Sequence, residues 1–188
     1  MNKKELRREY LKKRKALSED DYLAANQKIK FLFFEKFVIE PNATVHIFLP
    51  IVKKGEIDTW PIIHELWKKN INVVVSKTNF ETMELEHYQL TTQSKLERNH
   101  WGIEEPVAGK TVKPSDIDIV LVPLLTFDRQ GHRVGYGKGF YDKFLATCNS
   151  NTIKIGLSIF PPISSIDDVH KFDVSLNHCI IPDNIFIF

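Results

Sequence analysis

The sequence predicts an α/β protein, a three-layer sandwich with a largely parallel, Rossmann-like central sheet. Three observations carry this reading. Short apolar runs alternate along the chain with stretches of helical spacing. Several of those runs are apolar on both faces, as strands covered by helices on each side must be. A glycine-rich run, GYGKGFYD at 135–142, falls between the most hydrophobic run and the next helical stretch, where open α/β sheets carry their ligands.

Each element has its own justification. KKELRREYLKKRKALS, from Lys3, reads as a helix with Leu6, Tyr10 and Leu17 on one face at about 100° per residue. Lys3, Arg7 and Arg14 form a second row beside that stripe, where the helix meets the body. Lys4, Arg8, Lys12 and Lys15 fall on the far, solvated side. Ser18 with Asp21 reads as an N-cap pair opening a second helix to about residue 36. ATVHIFLP (43–50) is a buried strand that Pro50 stops, and GEIDTWPIIHELWKKN (55–70) is a loop followed by a helix. INVVVSK (71–77) is a second buried strand, and MELEHYQL (83–90) alternates like a more exposed one. DIDIVLVP (116–123) is the most hydrophobic strand, YDKFLATC (141–148) the next helix, and TIKIGLSI (152–159) and HCIIP (178–182) the last strands. No repeat, low-complexity tract or linker interrupts the series, so 1–188 is read as one domain.

The chain has 188 residues, 43% hydrophobic and 27% charged, which suits a packed core and not a disordered segment. No apolar run approaches the roughly 20 residues of a membrane span, and the charged N-terminus has no apolar stretch behind it. Cys148 and Cys179 offer neither a disulfide framework nor metal spacing, and the expected location is the cytoplasm. The net charge of +2 hides an asymmetry: residues 1–15 hold eight of the 26 Lys and Arg and two of the 24 Asp and Glu, leaving 18 basic against 22 acidic side chains elsewhere. A basic leading segment can bind nucleic acid, an acidic membrane surface or a phosphate ligand.

The glycine run narrows that choice. Backbone N–H groups and the dipole at a helix N-terminus favour an anion, and glycines let main chain approach a phosphate closely. Lys138 adds a mobile cation, and Asp142 is placed to hold a Mg²⁺ that bridges phosphate oxygens. The run is neither a P-loop nor a dinucleotide fingerprint, because no Gly-Lys-Ser/Thr ends it and Phe140 stands where the last glycine belongs. A tight strand-to-helix turn with Asp142 as a capping carboxylate is the structural alternative. Glu56 and Asp58 follow a strand terminus and are either site carboxylates or a polar loop. Trp101 either stacks on a flat ring or fills the core. Asp173, in a loop before a late strand, is either a second metal carboxylate or a plain loop residue.

Together these stretches resemble the 5-formyltetrahydrofolate cyclo-ligase family, also called methenyltetrahydrofolate synthetases. The blocks are Lys-x-x-Leu-Arg from Lys3, Glu-Ile-Asp-Thr from Glu56, Trp-Gly-Ile-x-x-Pro from Trp101, FDRQGHRVGYGKGFYD at 127–142, and the late Asp173–Val174, in order over nearly the whole chain. The resemblance implies an ATP-dependent ring closure of 5-formyltetrahydrofolate to 5,10-methenyltetrahydrofolate, with ADP and phosphate released and Mg²⁺ as cofactor. It implies that Lys3, Arg7 and the loop Arg133, Val134, Gly135, Tyr136, Gly137, Lys138, Gly139, Phe140 and Tyr141 bind ATP. Lys138 and Arg133 then serve as catalytic cations. The folate side would be met by Leu49, Glu56, Trp101, Tyr136, Gly137, Lys138, Gly139 and Phe140, and the metal by Asp142 and Asp173. The chain departs from relatives at Tyr136 (arginine in some), Asn177 (often acidic), Leu125 (usually glycine) and in the longer IVKKG loop before Glu56. The expected partners are the two small-molecule substrates, without nucleic acid or membrane, on a monomer. A sugar-phosphate isomerase or acyl-CoA transferase-like enzyme is the second reading, and a nucleic-acid binder using residues 1–15 is the third.

Overall fold

The computed structural model describes residues 1–99 and 102–188. Helix α1 (Lys3–Lys15) opens on a capping box in which the Asn2 side chain takes the Glu5 N–H and Glu5 returns to the Asn2 N–H. Helix α2 (Glu19–Lys36) is capped by Ser18, which accepts from the Asp21 N–H at 3.1 Å. Strand β1 (Thr44–His46), helix α3 (Trp60–Lys68) and strand β2 (Asn72–Asn79) form a parallel crossover. Strand β3 (Glu84–Leu90) returns antiparallel, and β4 (Leu96–Arg98) pairs β5 (Glu104–Pro106) beside it. The central β6 (Ile119–Pro123) leads into a small hairpin, β7 (Thr126–Phe127) and β8 (Arg133–Val134), then helix α4 (Phe140–Thr147). Strands β9 (Ile153–Leu157), β10 (His178–Ile181) and β11 (Asn184–Ile187) complete the chain.

Seven strands run in the order β11-β10-β9-β6-β1-β2-β3, with the outer two antiparallel to a parallel centre. Successive residues of the central strands feed opposite faces. Ile119, Leu121, Val73 and Val75 join Ile29 and Phe33 of α2 and Ile62, Ile63 and Leu66 of α3; Val120, Val122 and Val74 join Phe144 and Leu145 of α4. Helices on both faces explain why these strands carry no polar side. The three layers and largely parallel sheet match the expected class. The parallel order turns in opposite directions from β1, so β1 and β6 flank a switch point whose carboxyl-end crevice is open.

Helix α1 lies over the β7–β8 hairpin, with Leu6 and Tyr10 packed on Leu125, Val134 and Ile166. The expected stripe is corrected at one position: Leu17 lies past the helix and is half-buried, whereas Arg14 is only 6% exposed. Lys3 is buried and Arg7 half-buried, while Lys4, Arg8, Lys12 and Lys15 are exposed, as the wheel divides them. The first strand is shorter than its apolar run, although Ile47 still donates to the Val74 carbonyl at 2.9 Å. No helix among the described residues is long and apolar enough to cross a membrane.

Candidate active site

The crevice at the carboxyl ends of β1, β2 and β6 is a cleft of about 670 Å³. It has a charged end and an apolar end. At the charged end, β8 delivers Arg133 and the run Gly135–Gly139 crosses to α4. Gly139 takes the N-cap position with φ +75°, so no side chain caps the helix and its first N–H groups stay open to the cleft. Asp142 therefore is not the capping carboxylate. Its Oδ1 receives Arg133 Nη2 at 2.7 Å and the Val174 N–H at 3.1 Å, while Oδ2 has no hydrogen-bond partner among the described residues.

Val174 ties the second carboxylate to the first. Its carbonyl accepts Arg133 Nη1, so one guanidinium spans Asp142 and the loop that holds Asp173. Asp173 Oδ2 accepts the Lys3 ammonium and, at 2.7 Å, the His170 N–H. Burial works to raise the Asp173 pKa, but the His170 bond and the Lys3 charge outweigh it and hold the carboxyl below its ordinary value. The Lys3 N–H also binds Asp168 at 2.6 Å, which fixes the start of α1 on this loop. Arg7 donates from Nε to the Gly135 carbonyl at 2.9 Å and lies under Gly137, whose φ is +86°. Lys138 is exposed, faces the cleft and has no ion-pair partner among the described residues.

The donor set at this end suits a hard divalent cation. Two carboxylates line this end, each with one oxygen that accepts no hydrogen bond among the described residues, and Mg²⁺ is commonly held by one or two carboxylates with phosphate oxygens and water filling its octahedron. Among the described residues no group of three or more His, Cys, Asp or Glu forms a closed metal centre, so the remaining ligands would come from a nucleotide.

The apolar end is bounded by Phe48, Leu49 and Ile51 after β1, by Phe80 and Met83 of the β2–β3 turn and Leu85 of β3, and by Ile103 and Phe140. Glu56 is only 4% exposed. Its Oε2 accepts the Ile51 N–H at 2.6 Å, and the Tyr136 hydroxyl and the charges of Arg14 and Lys54 also favour its ionised form. Burial outweighs them and raises its pKa. Burial likewise raises Tyr136 and Tyr141, so both hydroxyls stay protonated donors.

The cleft gathers Lys3, Arg7, Leu49, Glu56, Arg133, Gly135 to Asp142 and Asp173. Val134 is the exception: its side chain is fully buried beneath α1, because β8 alternates and turns Arg133, not Val134, to the cleft. Trp101 lies outside the described residues. Asp58 spends its carboxylate on the Trp60 N–H at 3.1 Å and does not line the cleft.

The sequence departures have local explanations. Tyr136 has Arg14 at its hydroxyl (3.4 Å) and Lys54 of the IVKKG loop 4.2 Å from its ring centroid. Asn177 accepts the Lys154 N–H at 2.8 Å, between β9 and β10 and away from the cleft. Leu125 is core, packed under α1. Arg14, on the same helical row as Lys3 and Arg7, is a further supporting residue: it donates to the Leu124 carbonyl and to the Tyr136 hydroxyl. Glu105, which no motif singles out, is also a cleft residue and only 7% exposed.

Fold and cleft define an α/β enzyme with an anion-receiving end and an apolar, ring-receiving end joined through one glycine loop. The model of the 5-formyltetrahydrofolate cyclo-ligase family matches residues 1–180. The 5-formyltetrahydrofolate cyclo-ligase of Haemophilus influenzae is 34% identical over 128 residues, 64% of this chain and 67% of that protein. The Escherichia coli K12 cyclo-ligase is 31% identical over 147 residues, 76% of this chain and 80% of that one. Among solved structures, the 5,10-methenyltetrahydrofolate synthetase of Aquifex aeolicus superposes with TM-score 0.78 at 28% identity, covering 100% of this chain and 93% of that one. The Mycoplasma pneumoniae synthetase does so with TM-score 0.74 at 25% identity, over 97% and 100%. The chain belongs to the 5-formyltetrahydrofolate cyclo-ligase family and is a ligase.

Proposed function

We propose that this cleft closes the imidazoline ring of 5-formyltetrahydrofolate at the expense of ATP, with the triphosphate at the charged end and the pterin in the apolar end. The observation that carries the reading is the convergence of Lys3, Arg7, Arg133, Lys138 and two linked carboxylates on the same glycine loop that borders Glu56 and the apolar walls. The formyl oxygen attacks the γ-phosphorus, a P–O bond forms, and the bond to ADP breaks with its electron pair leaving on ADP. Nitrogen 10 then attacks the formyl carbon and loses its proton. The C–O bond breaks, its electron pair leaves with phosphate, and the positive charge spreads over N5–C–N10.

An amide-like oxygen is a poor leaving group, so phosphorylation is what makes the second step possible. The chain's task is to hold the two substrates in line and to meet the charge that moves. Open N–H groups after Gly139 and the ammonium of Lys138 face that charge. Arg7, braced on the Gly135 carbonyl, and Lys3 supply the nucleotide contacts. Asp142 and Asp173 would hold Mg²⁺, which when bound neutralises the β- and γ-oxygens. Glu56, held on the Ile51 N–H, accepts from the pterin amino and ring N–H groups, and Leu49 and Phe140 cover its faces. The chain acts as a single unit over 1–188, as a monomer in the cytoplasm.

ADP release measured with MgATP and either 5-formyltetrahydrofolate, a sugar phosphate or no second substrate tests this. The reading requires release with the formylfolate alone; release that ignores it, or that follows the sugar phosphate, overturns it.

A further inference from the structure

Glu105 is an anomaly in the cleft wall. It sits on β5 and lines the cleft together with the apolar Phe80, Met83, Leu85 and Ile103. It is only 7% exposed, and its Oε1 is held by the Thr78 N–H at 2.9 Å. Among the described residues nothing pairs with Oε2 and no cation lies within ion-pair distance. The neighbouring Glu104 has Arg98, Glu56 has the charges of Arg14 and Lys54, and Asp142 and Asp173 hold Arg133 and Lys3. Oε2 is also absent from the fully enclosed polar atoms left without partners, so it opens on the cleft. A buried carboxylate left without a cation is costly and calls for a partner.

We propose that Glu105 is a substrate-contacting catalytic carboxylate, the counter-charge of the positive N5–C–N10 bridge that ring closure creates. This rests on the ring-closing reading. The substrate's N5–CHO unit is neutral, whereas attack by nitrogen 10 makes that nitrogen positive and the product keeps the charge on the bridge. An anion in the ring-receiving wall is worth more as the reaction proceeds, which is the condition for catalysis as opposed to uniform binding. The proton lost from nitrogen 10 passes to Oε2 and from there to solvent, while the electron pair of the broken C–O bond leaves on phosphate.

The substitution Glu105→Gln isolates the charge. An amide has the same shape, and its oxygen keeps the Thr78 N–H, so its NH₂ is turned to the cleft and offers a donor in place of an anion. Expected are a melting temperature no lower than the parent's, since the uncompensated buried charge is gone, kcat lower by about 100-fold, and KM for 5-formyltetrahydrofolate within about threefold of the parent. The inhibition constant of the cationic methenyl product should rise about tenfold more than the substrate's dissociation constant. Equal losses for substrate and product, or an unchanged kcat in the folded variant, overturn the assignment. If the parent protein binds neither folate, the ring-closing reading has failed, a result distinct from the failure of Glu105's role.

Discussion

Gly137→Ala puts the phosphate end to a quantitative test. A Cβ on Gly137 would stand 2.8 Å from Arg7 Cζ and 3.0 Å from its Nε, and the backbone there has φ +86°. Alanine in a left-handed conformation costs about 1–2 kcal/mol. Pushing the guanidinium aside also endangers the 2.9 Å bond from Arg7 Nε to the Gly135 carbonyl, worth about 1.5–3 kcal/mol for a charged donor. Arg7 is long and relaxes in part, so a total of about 2–4 kcal/mol is expected. Gly139→Ala is the matched control: φ is +75° but nothing lies within 4 Å of the added methyl, so only the backbone cost of about 1–2 kcal/mol remains. Calorimetric titration with MgATP should show Gly137→Ala weaker than Gly139→Ala by about 1–2 kcal/mol, roughly five- to thirtyfold in Kd. In an Arg7→Ala background that difference should vanish, because the clash has been removed. Equal losses for the two glycine variants, or a difference that survives Arg7→Ala, would refute the placement of Arg7 beneath the loop.

Lys138→Ala should leave the melting temperature unchanged, since the side chain is exposed and unpaired among the described residues, yet slow turnover by an amount equivalent to about 2–4 kcal/mol; a folded variant with near-normal kcat removes its catalytic role. Asp142→Asn keeps an oxygen for the Val174 N–H but not the charge, and Asp173→Asn frees Lys3, so both should raise the Mg²⁺ concentration needed for half-maximal rate; unchanged magnesium dependence in both leaves the pair as loop fasteners only. Acid should act through His87, which burial depresses from 6.5 to about 4 and which shares the Ser76 hydroxyl with the fully buried His46, also lowered chiefly by burial. The unfolded imidazole takes its proton near pH 6.5 and the folded one resists until about pH 4. His87's stabilising share is therefore present above pH 6.5 and lost as pH falls through that window, on the order of 3 kcal/mol. Thermal melts of His87→Gln should flatten between pH 6.5 and 4, and an unaltered slope would assign acid lability elsewhere.

How far the sequence can be read depends on whether a residue's role is local. The doubly apolar runs at 71–77 and 116–123 point to covered strands, because their consecutive valines, isoleucines and leucine must find a core whichever way they point. The wheel separated Lys3 and Arg7 from Lys4 and Arg8, since helical phase is local. Arg14 shared the wheel row, but its partners, the Leu124 carbonyl and Tyr136, arrive from more than a hundred residues away. Glu104 and Glu105 are adjacent and chemically identical, and both line the cleft; only the pairing of β5 decides that Glu104 meets Arg98 while Glu105 is buried on the Thr78 N–H. Val134 sat within a motif whose other members line the cleft, and strand alternation removed its side chain. Asp142 looked like a cap because acidic residues favour first helical turns, but Gly139 already ends the loop and leaves Asp142 to Arg133.

The central claim is that the formyl oxygen is activated by phosphoryl transfer before nitrogen 10 displaces it. Mass analysis of the phosphate released from 5-formyltetrahydrofolate carrying ¹⁸O in the formyl group, with unlabelled ATP and water, tests it directly. The account predicts one labelled oxygen in the phosphate for each methenyl product formed, read in parallel from its near-ultraviolet absorbance. Unlabelled phosphate, with the heavy oxygen found in water or retained on the folate, would contradict it.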